Sequence, residues 1–232
     1  MNRSDTIRPD TTSPVYISFH FQTGGNEPQH PNIGFAAVAV RLRPYHPDPQ
    51  NPNDLIEVVS TFGSNIVFAE STCLPSYITA AKYNRDMWRA TALEQHLVIA
   101  DFLEWVDPYR SYKPTEYSRY APALCYHQSV SVPRLKRACK VASVQYPLTH
   151  QSLDLAQLTA WSACMESANP HIDTSLTSLG RNMLFSRFGE LQTHYDGDDE
   201  VGCGITRRHT PLYTALLIPT VAAFRLRFPV TD

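Results

Sequence analysis

Apolar positions along this chain come first in strand-like runs and then in helix-like ones. Val15–Phe21 is apolar and rich in β-formers, and reads as a first strand. Ile33–Leu42 is a near-continuous apolar run suited to a strand buried on both faces. Asp54–Phe62 carries β-branched Ile56, Val58, Val59 and Thr61 and reads as a third strand. Between the second and third, the segment 43–53 contains Pro44, Pro47, Pro49 and Pro52, which exclude a helix or a central strand. The three runs predict an antiparallel meander with one long hairpin connection.

Helical character follows. Over 76–106 the chain reads as helical, with Leu93, Leu97 and Ala100 spaced as one helix face. A polar, tyrosine-rich loop is expected at 107–119, and a short fourth strand at Ala121–Tyr126. Residues 132–142 read as a helix with a basic side, with Ser131 as its cap and Pro133 in its first turn. Leu153–Ala163 and Leu176–Phe188 are further candidate helices, and Tyr195–Gly204 an acidic loop containing glycine. The last element runs from Pro211 to about Leu226, capped by Thr210 and kinked at Pro219. Strands followed by helices mixed with a further strand predict an α/β domain built on a mixed sheet. Residues 1–14 are polar and are expected to form a flexible N-terminal arm, with 15–232 as a single domain.

Composition narrows the classes. The chain has 232 residues, 43% hydrophobic, enough for one substantial core. A net charge of −2 excludes strong nucleic-acid binding through a global positive field, while leaving room for a local basic patch. Cys73, Cys125, Cys139, Cys164 and Cys203 contain no C-x-x-C pair, so reduced thiols in a cytoplasmic protein are expected rather than a zinc ribbon or a disulfide framework. No stretch has the length and apolarity of a membrane span.

The chemistry centres on Phe19-His20-Phe21-Gln22-Thr23-Gly24-Gly25, at the end of the first strand. With Ile33-Gly34-Phe35-Ala36-Ala37-Val38, Ser129–Leu135, Ser152-Leu153-Asp154 and His209–Ala215, it resembles, in order and spacing, the motifs of the DEDD (DnaQ-like) 3′–5′ exonucleases. The layout is most similar to the DexA-type phage enzymes and related bacterial exoribonucleases, and covers nearly the whole chain. Ser76–Trp88 is only loosely similar to the family's inserted helix. The resemblance implies an RNase H-like fold. It also implies that His20 and Gln22 stand where the family has Asp and Glu, that Ser131 and Thr214 stand at the two later Asp positions, and that the histidine of the last motif is kept as His209.

In the family the four carboxylates hold two divalent metals, and Mg²⁺ requires oxygen ligands, chiefly carboxylates and water. His20, Gln22, Ser131 and Thr214 supply no negative charge, so the two-metal Mg/Mn site is expected to be lost, no cofactor is expected, and His209 alone has no activated nucleophile to serve. One rescue is conceivable, in which His20, His209 and Asp154 bind Zn²⁺ or Mn²⁺.

Three functions remain open. The first is an inactive exonuclease-like module binding RNA, single-stranded nucleic acid or a nucleoprotein such as a ribosome or polymerase assembly. Its basic candidates are Arg134, Lys136, Arg137, Lys140, Arg207 and Arg208, with Phe21, Tyr126 or Tyr213 stacking on a base. A viral, phage-type origin would put it in the host cytoplasm. The second is a purely protein-binding scaffold using Tyr109, Tyr112, Tyr117, Tyr120 and the proline-rich segment. The third is an active 3′–5′ exonuclease with an atypical histidine-containing metal site. For any single residue the plain reading competes: a solvated basic side chain, a strand histidine, a cap serine, or a helix threonine bonded to its own backbone.

Overall fold

The structure, a computed structural model, describes residues 14–42, 56–81, 83–112, 119–125, 128–155 and 157. The N-terminal arm, the proline-rich connection and the elements expected beyond 157 lie outside these residues.

The first strand, β1 (Tyr16–Thr23), alternates: Ile17, Phe19 and Phe21 enter a hydrophobic core on one face, while Ser18, His20 and Gln22 leave on the other. Strand β2 (Asn32–Leu42) pairs with it antiparallel, setting His20 opposite Ala36 and Gln22 opposite Gly34. Ile33 and the run from Phe35 to Val40 are fully buried, so both faces of β2 are covered. Strand β3 (Ile56–Asn65) continues the meander antiparallel to β2.

A compact insertion follows. Helices α1 (Pro75–Ala80) and α2 (Arg85–Thr91) precede α3 (Gln95–Val106). Asn84 caps α2 by accepting from the backbone N–H groups of Asp86 and Met87. Trp88 anchors α2 to the sheet, donating its indole N–H to Ile66 O at 3.0 Å, and packs with Ile33, Ala81, Phe68 and Tyr83 in a small second core. The buried face of α3 is Val98, Ile99, Phe102 and Val106. The expected stripe is corrected: Leu93 precedes the helix, and Leu93, Leu97 and Ala100 are exposed. Phe102 meets the edge of Phe35 at 5.0 Å between ring centroids, fixing α3 over β2.

The expected loop at 107–119 contains a 3-10 turn, Asp107–Tyr109, and a two-residue strand, β4 (Ser111–Tyr112). Strand β5 (Arg119–Cys125) lies parallel to β1, with Ile17 opposite Ala123 and Ser18 opposite Leu124, and β4 borders its start. Helix α4 (Gln128–Val141) begins earlier than expected, so Ser131 lies inside its first turn rather than capping it, and Pro133 sits inside the helix. Burial of Val132, Leu135, Ala138 and Cys139 against Ile17, Phe19 and Phe21 holds this first turn despite the proline. The helix ends in a Schellman motif: Val144 N donates to Cys139 O and Ser143 N to Lys140 O, with Ser143 left-handed at φ 57°.

A further correction concerns 148–154. Where a helix was expected from Leu153, strand β6 (Leu148–Asp154) pairs parallel with β5, and helical geometry starts only at Leu155. The long strands are ordered β3-β2-β1-β5-β6, a mixed sheet with α3 and α4 against one face.

Candidate nucleic-acid interface at the end of the first strand

Strand β5 ends at Cys125, whereas β1 runs on through His20 to Thr23 beyond its pairing with β5. The carboxyl ends of two adjacent parallel strands therefore open at one edge of the sheet, the position at which open α/β sheets bind ligands. His20 and Gln22 leave β1 there on one face, and Ser131 lies in the first turn of α4, the helix that follows β5. His209, Thr214, Arg207 and Arg208 lie outside the described residues; of the other matched positions, His20 and Gln22 share the face of β1 that points away from the core, whereas Ser131 belongs to α4, which packs on the core face.

The site is not acidic at those three positions. Burial pushes the His20 imidazole down to about 4, which makes it neutral at physiological pH. Gln22 and Ser131, both half-buried, carry no charge. Asp154, at the end of β6, is buried and caps the next helix by accepting from Gln157 N at 3.4 Å. Its strand lies two places from β1, about 10 Å at the usual strand spacing. Burial pushes the Cys125 and Cys139 thiols up to about 11, so neither is a thiolate. Among the described residues no three His, Cys, Asp or Glu side chains gather as metal ligands would.

The loop after β1 is tightly built. Gly24 N donates to Pro31 O at 2.9 Å, Leu74 N donates to Gly24 O at 2.7 Å, and the Tyr77 hydroxyl donates to Asn26 Oδ1. A Cβ at Gly24 would fall 2.4 Å from Cys73 Sγ, so a side chain there would have to displace the cysteine. Two arginines of α4 hold the loop from the other side. Arg134 donates to Glu27 O at 3.1 Å, Asn32 Oδ1 at 3.3 Å, His30 O at 3.4 Å and Asn26 O at 3.5 Å. Arg137 Nη1 donates to Pro28 O at 2.8 Å. Lys136 lies 5.4 Å from the Tyr146 ring centroid, and both it and Lys140 are exposed.

Of the stacking candidates, Phe21 is corrected: it is buried in the core beside Phe35, at 4.4 Å between ring centroids, and offers no face to a base. Tyr126 and Tyr213 lie outside the described residues. Of the tyrosines read as an interface, Tyr109 packs on Trp105, and Gln145 donates to the Tyr120 hydroxyl at 3.4 Å. Sequence reasoning missed the loop-holding residues Asn26, His30 and Asn32. Their partner Arg134 is more than a hundred positions away in the chain, and no local signal points to it.

No protein-family model and no curated protein sequence matches the chain. Solved structures do. The nuclease domain of 3′hExo, a DEDDh family member bound to rAMP, is 16% identical with a TM-score of 0.59, covering 95% of each chain. Cell-death related nuclease 4 is 15% identical with a TM-score of 0.60, covering 94% of this chain and 65% of that one. E. coli exonuclease I, in complex with an oligonucleotide, is 13% identical with a TM-score of 0.58, covering 91% of this chain and 40% of that one. The chain has an RNase H-like exonuclease fold. The mixed sheet and the layout expected from the sequence motifs agree with that fold from β1 to β6.

Proposed function

We propose that this exonuclease-fold protein binds single-stranded nucleic acid, free or within a nucleoprotein such as a ribosome or polymerase assembly, and has given up the metal-dependent hydrolysis of the enzymes it resembles. The observation that carries the reading is the end of β1. His20, held neutral by burial, and Gln22 share one face there, in the places where the resemblance puts two acids. Without those charges a phosphate can approach basic groups without bridging cations, and two dications have nothing to offset them. Arg134 and Arg137 of α4 hold the loop that follows β1 and bring positive charge to it. The structural neighbours also fit a nucleic-acid partner: one was solved with rAMP, one with an oligonucleotide, and one is described as recognising a histone mRNA stem-loop. The motif resemblance to phage enzymes adds to this proposal a phage-type protein acting in the host cytoplasm.

The test uses 3′-labelled single-stranded RNA and DNA. Binding in EDTA that weakens as salt rises supports the proposal. Degradation that requires Mg²⁺ or Mn²⁺ and is lost in His209→Ala overturns the inactive half of it. Co-purification with a protein complex, with no nucleic-acid binding in any buffer, favours a protein-binding scaffold.

A further inference from the structure

From Gln128 to Leu153 the chain contains no acidic residue, while Arg134, Lys136, Arg137 and Lys140 all lie on α4. Arg134 and Arg137 are three residues apart and so are neighbours on one helix face. Their hydrogen bonds among the described residues all go to neutral acceptors: four backbone carbonyls for the pair at Asn26, Glu27, Pro28 and His30, and the Asn32 side-chain amide. Glu27, the one acid in the loop, is exposed and forms no ion pair with either. Burial, and then the neighbouring Arg137 charge, pull the Arg134 pKa down, as expected for a cation facing another cation. The carbonyls therefore fix two guanidiniums in place without neutralising them.

Arg134 is half-buried and spends both terminal nitrogens on the loop. Arg137 is exposed and, among the described residues, donates only through Nη1, which leaves Nη2 and Nε as further donors on a guanidinium held at one corner. His30 extends the same rim. Its Nδ1 accepts from Glu27 N at 3.0 Å, which leaves Nε2 as the ring nitrogen that can donate. A planar guanidinium held by a carbonyl on one side suits two oxygens of a phosphodiester on the other.

We propose that Arg137, oriented by Pro28 O and backed by the charge of Arg134, is a phosphodiester-binding residue where the β1–β2 loop meets α4, with His30 beside it. The proposal rests on the nucleic-acid reading above and names the contact within it. A preformed donor set loses little freedom on binding, which distinguishes Arg137 from Lys136 and Lys140 on the same helix.

The experiment compares wild type, Arg137→Gln and Arg89→Gln. The last removes the same charge from the exposed surface of α2. Each is measured for affinity to a single-stranded oligonucleotide across a salt series and, separately, for the shift of its arginine Nε–H NMR signals on titration with pyrophosphate. The expected result is weaker binding by Arg137→Gln, with the slope of log K against log salt reduced by about 0.7, and an unchanged slope for Arg89→Gln. An oligonucleotide that binds Arg137→Gln with the wild-type slope overturns the proposal and leaves the nucleic-acid reading standing. Pyrophosphate shifting the Arg137 signal with no oligonucleotide bound keeps the anion site and overturns that reading. No response to either probe overturns both.

Discussion

The imidazole of His30 lies against Gly25 so closely that a Cβ on Gly25 would fall 2.5 Å from both Cγ and Nδ1 of the ring. The same Nδ1 accepts the hydrogen bond from Glu27 N that closes the turn, so a side chain at Gly25 would displace a ring that is already in use. Gly25→Ala is expected to destabilise the protein by about 1–3 kcal/mol, the usual cost of overpacking. His30→Ala in the same chain should recover part of this loss. Chemical denaturation of the two single variants and the double variant checks it; purely additive losses would mean that ring and backbone are not in contact.

His20 ties the site to pH. Its folded pKa of about 4 lies below the 6.5 of the free side chain. Below pH 6.5 the unfolded chain takes up a proton that the folded chain refuses, so stability falls as pH drops from 6.5 through 4 and levels off beneath that. Above pH 7 the group contributes nothing. Between pH 7 and pH 5 the loss assigned to His20 is about 2 kcal/mol, and His20→Gln should lose that much less over the same interval. Urea midpoints of both proteins at the two pH values measure it. Parallel pH dependences would show that His20 titrates as an ordinary surface histidine.

The first strand was legible because its chemistry and its neighbours agree: Phe19 and Phe21 belong to the core, and the polar residues between them face away. The meander was legible from the apolar run of β2, which is buried on both faces. Strand β6 was not. Its sequence, Leu148-Thr149-His150-Gln151-Ser152-Leu153-Asp154, has little apolar character, and its extended form comes from pairing with β5, which no local pattern announces. The start of α4 was misread because Pro133 marks a first turn in most helices, whereas here core packing of Val132 and Leu135 carries the helix across it. Arg134 shows the deepest limit. Its charge was visible in the sequence, but its partners, at Asn26, Glu27, His30 and Asn32, exist only once β1, β2 and α4 have met.

Ser143 closes the Schellman motif of α4 with a left-handed backbone that glycine adopts without strain. Ser143→Gly is expected to stabilise the protein by about 0.5–1 kcal/mol, the relief of the Cβ clash less the greater entropy of glycine in the unfolded chain. Thermal unfolding reads it as a higher Tm. A lower Tm would mean that the serine side chain contributes something its backbone conformation does not explain.

Restoring acids at the matched positions tests the alignment itself. A variant carrying His20→Asp, Gln22→Glu, Ser131→Asp and Thr214→Asp gathers four carboxylates if these positions converge, and like charges so gathered repel. Such a variant is expected to be less stable than wild type in EDTA and to regain stability when Mg²⁺ or Mn²⁺ is added, because an ion that binds only the folded state raises its Tm with concentration. The wild type, with a neutral imidazole, an amide and two hydroxyls in those places, is expected to show the same Tm in EDTA and in Mg²⁺. A folded variant whose Tm ignores both metals would show that the four positions do not share a site, and the correspondence drawn from the motifs would fall with it.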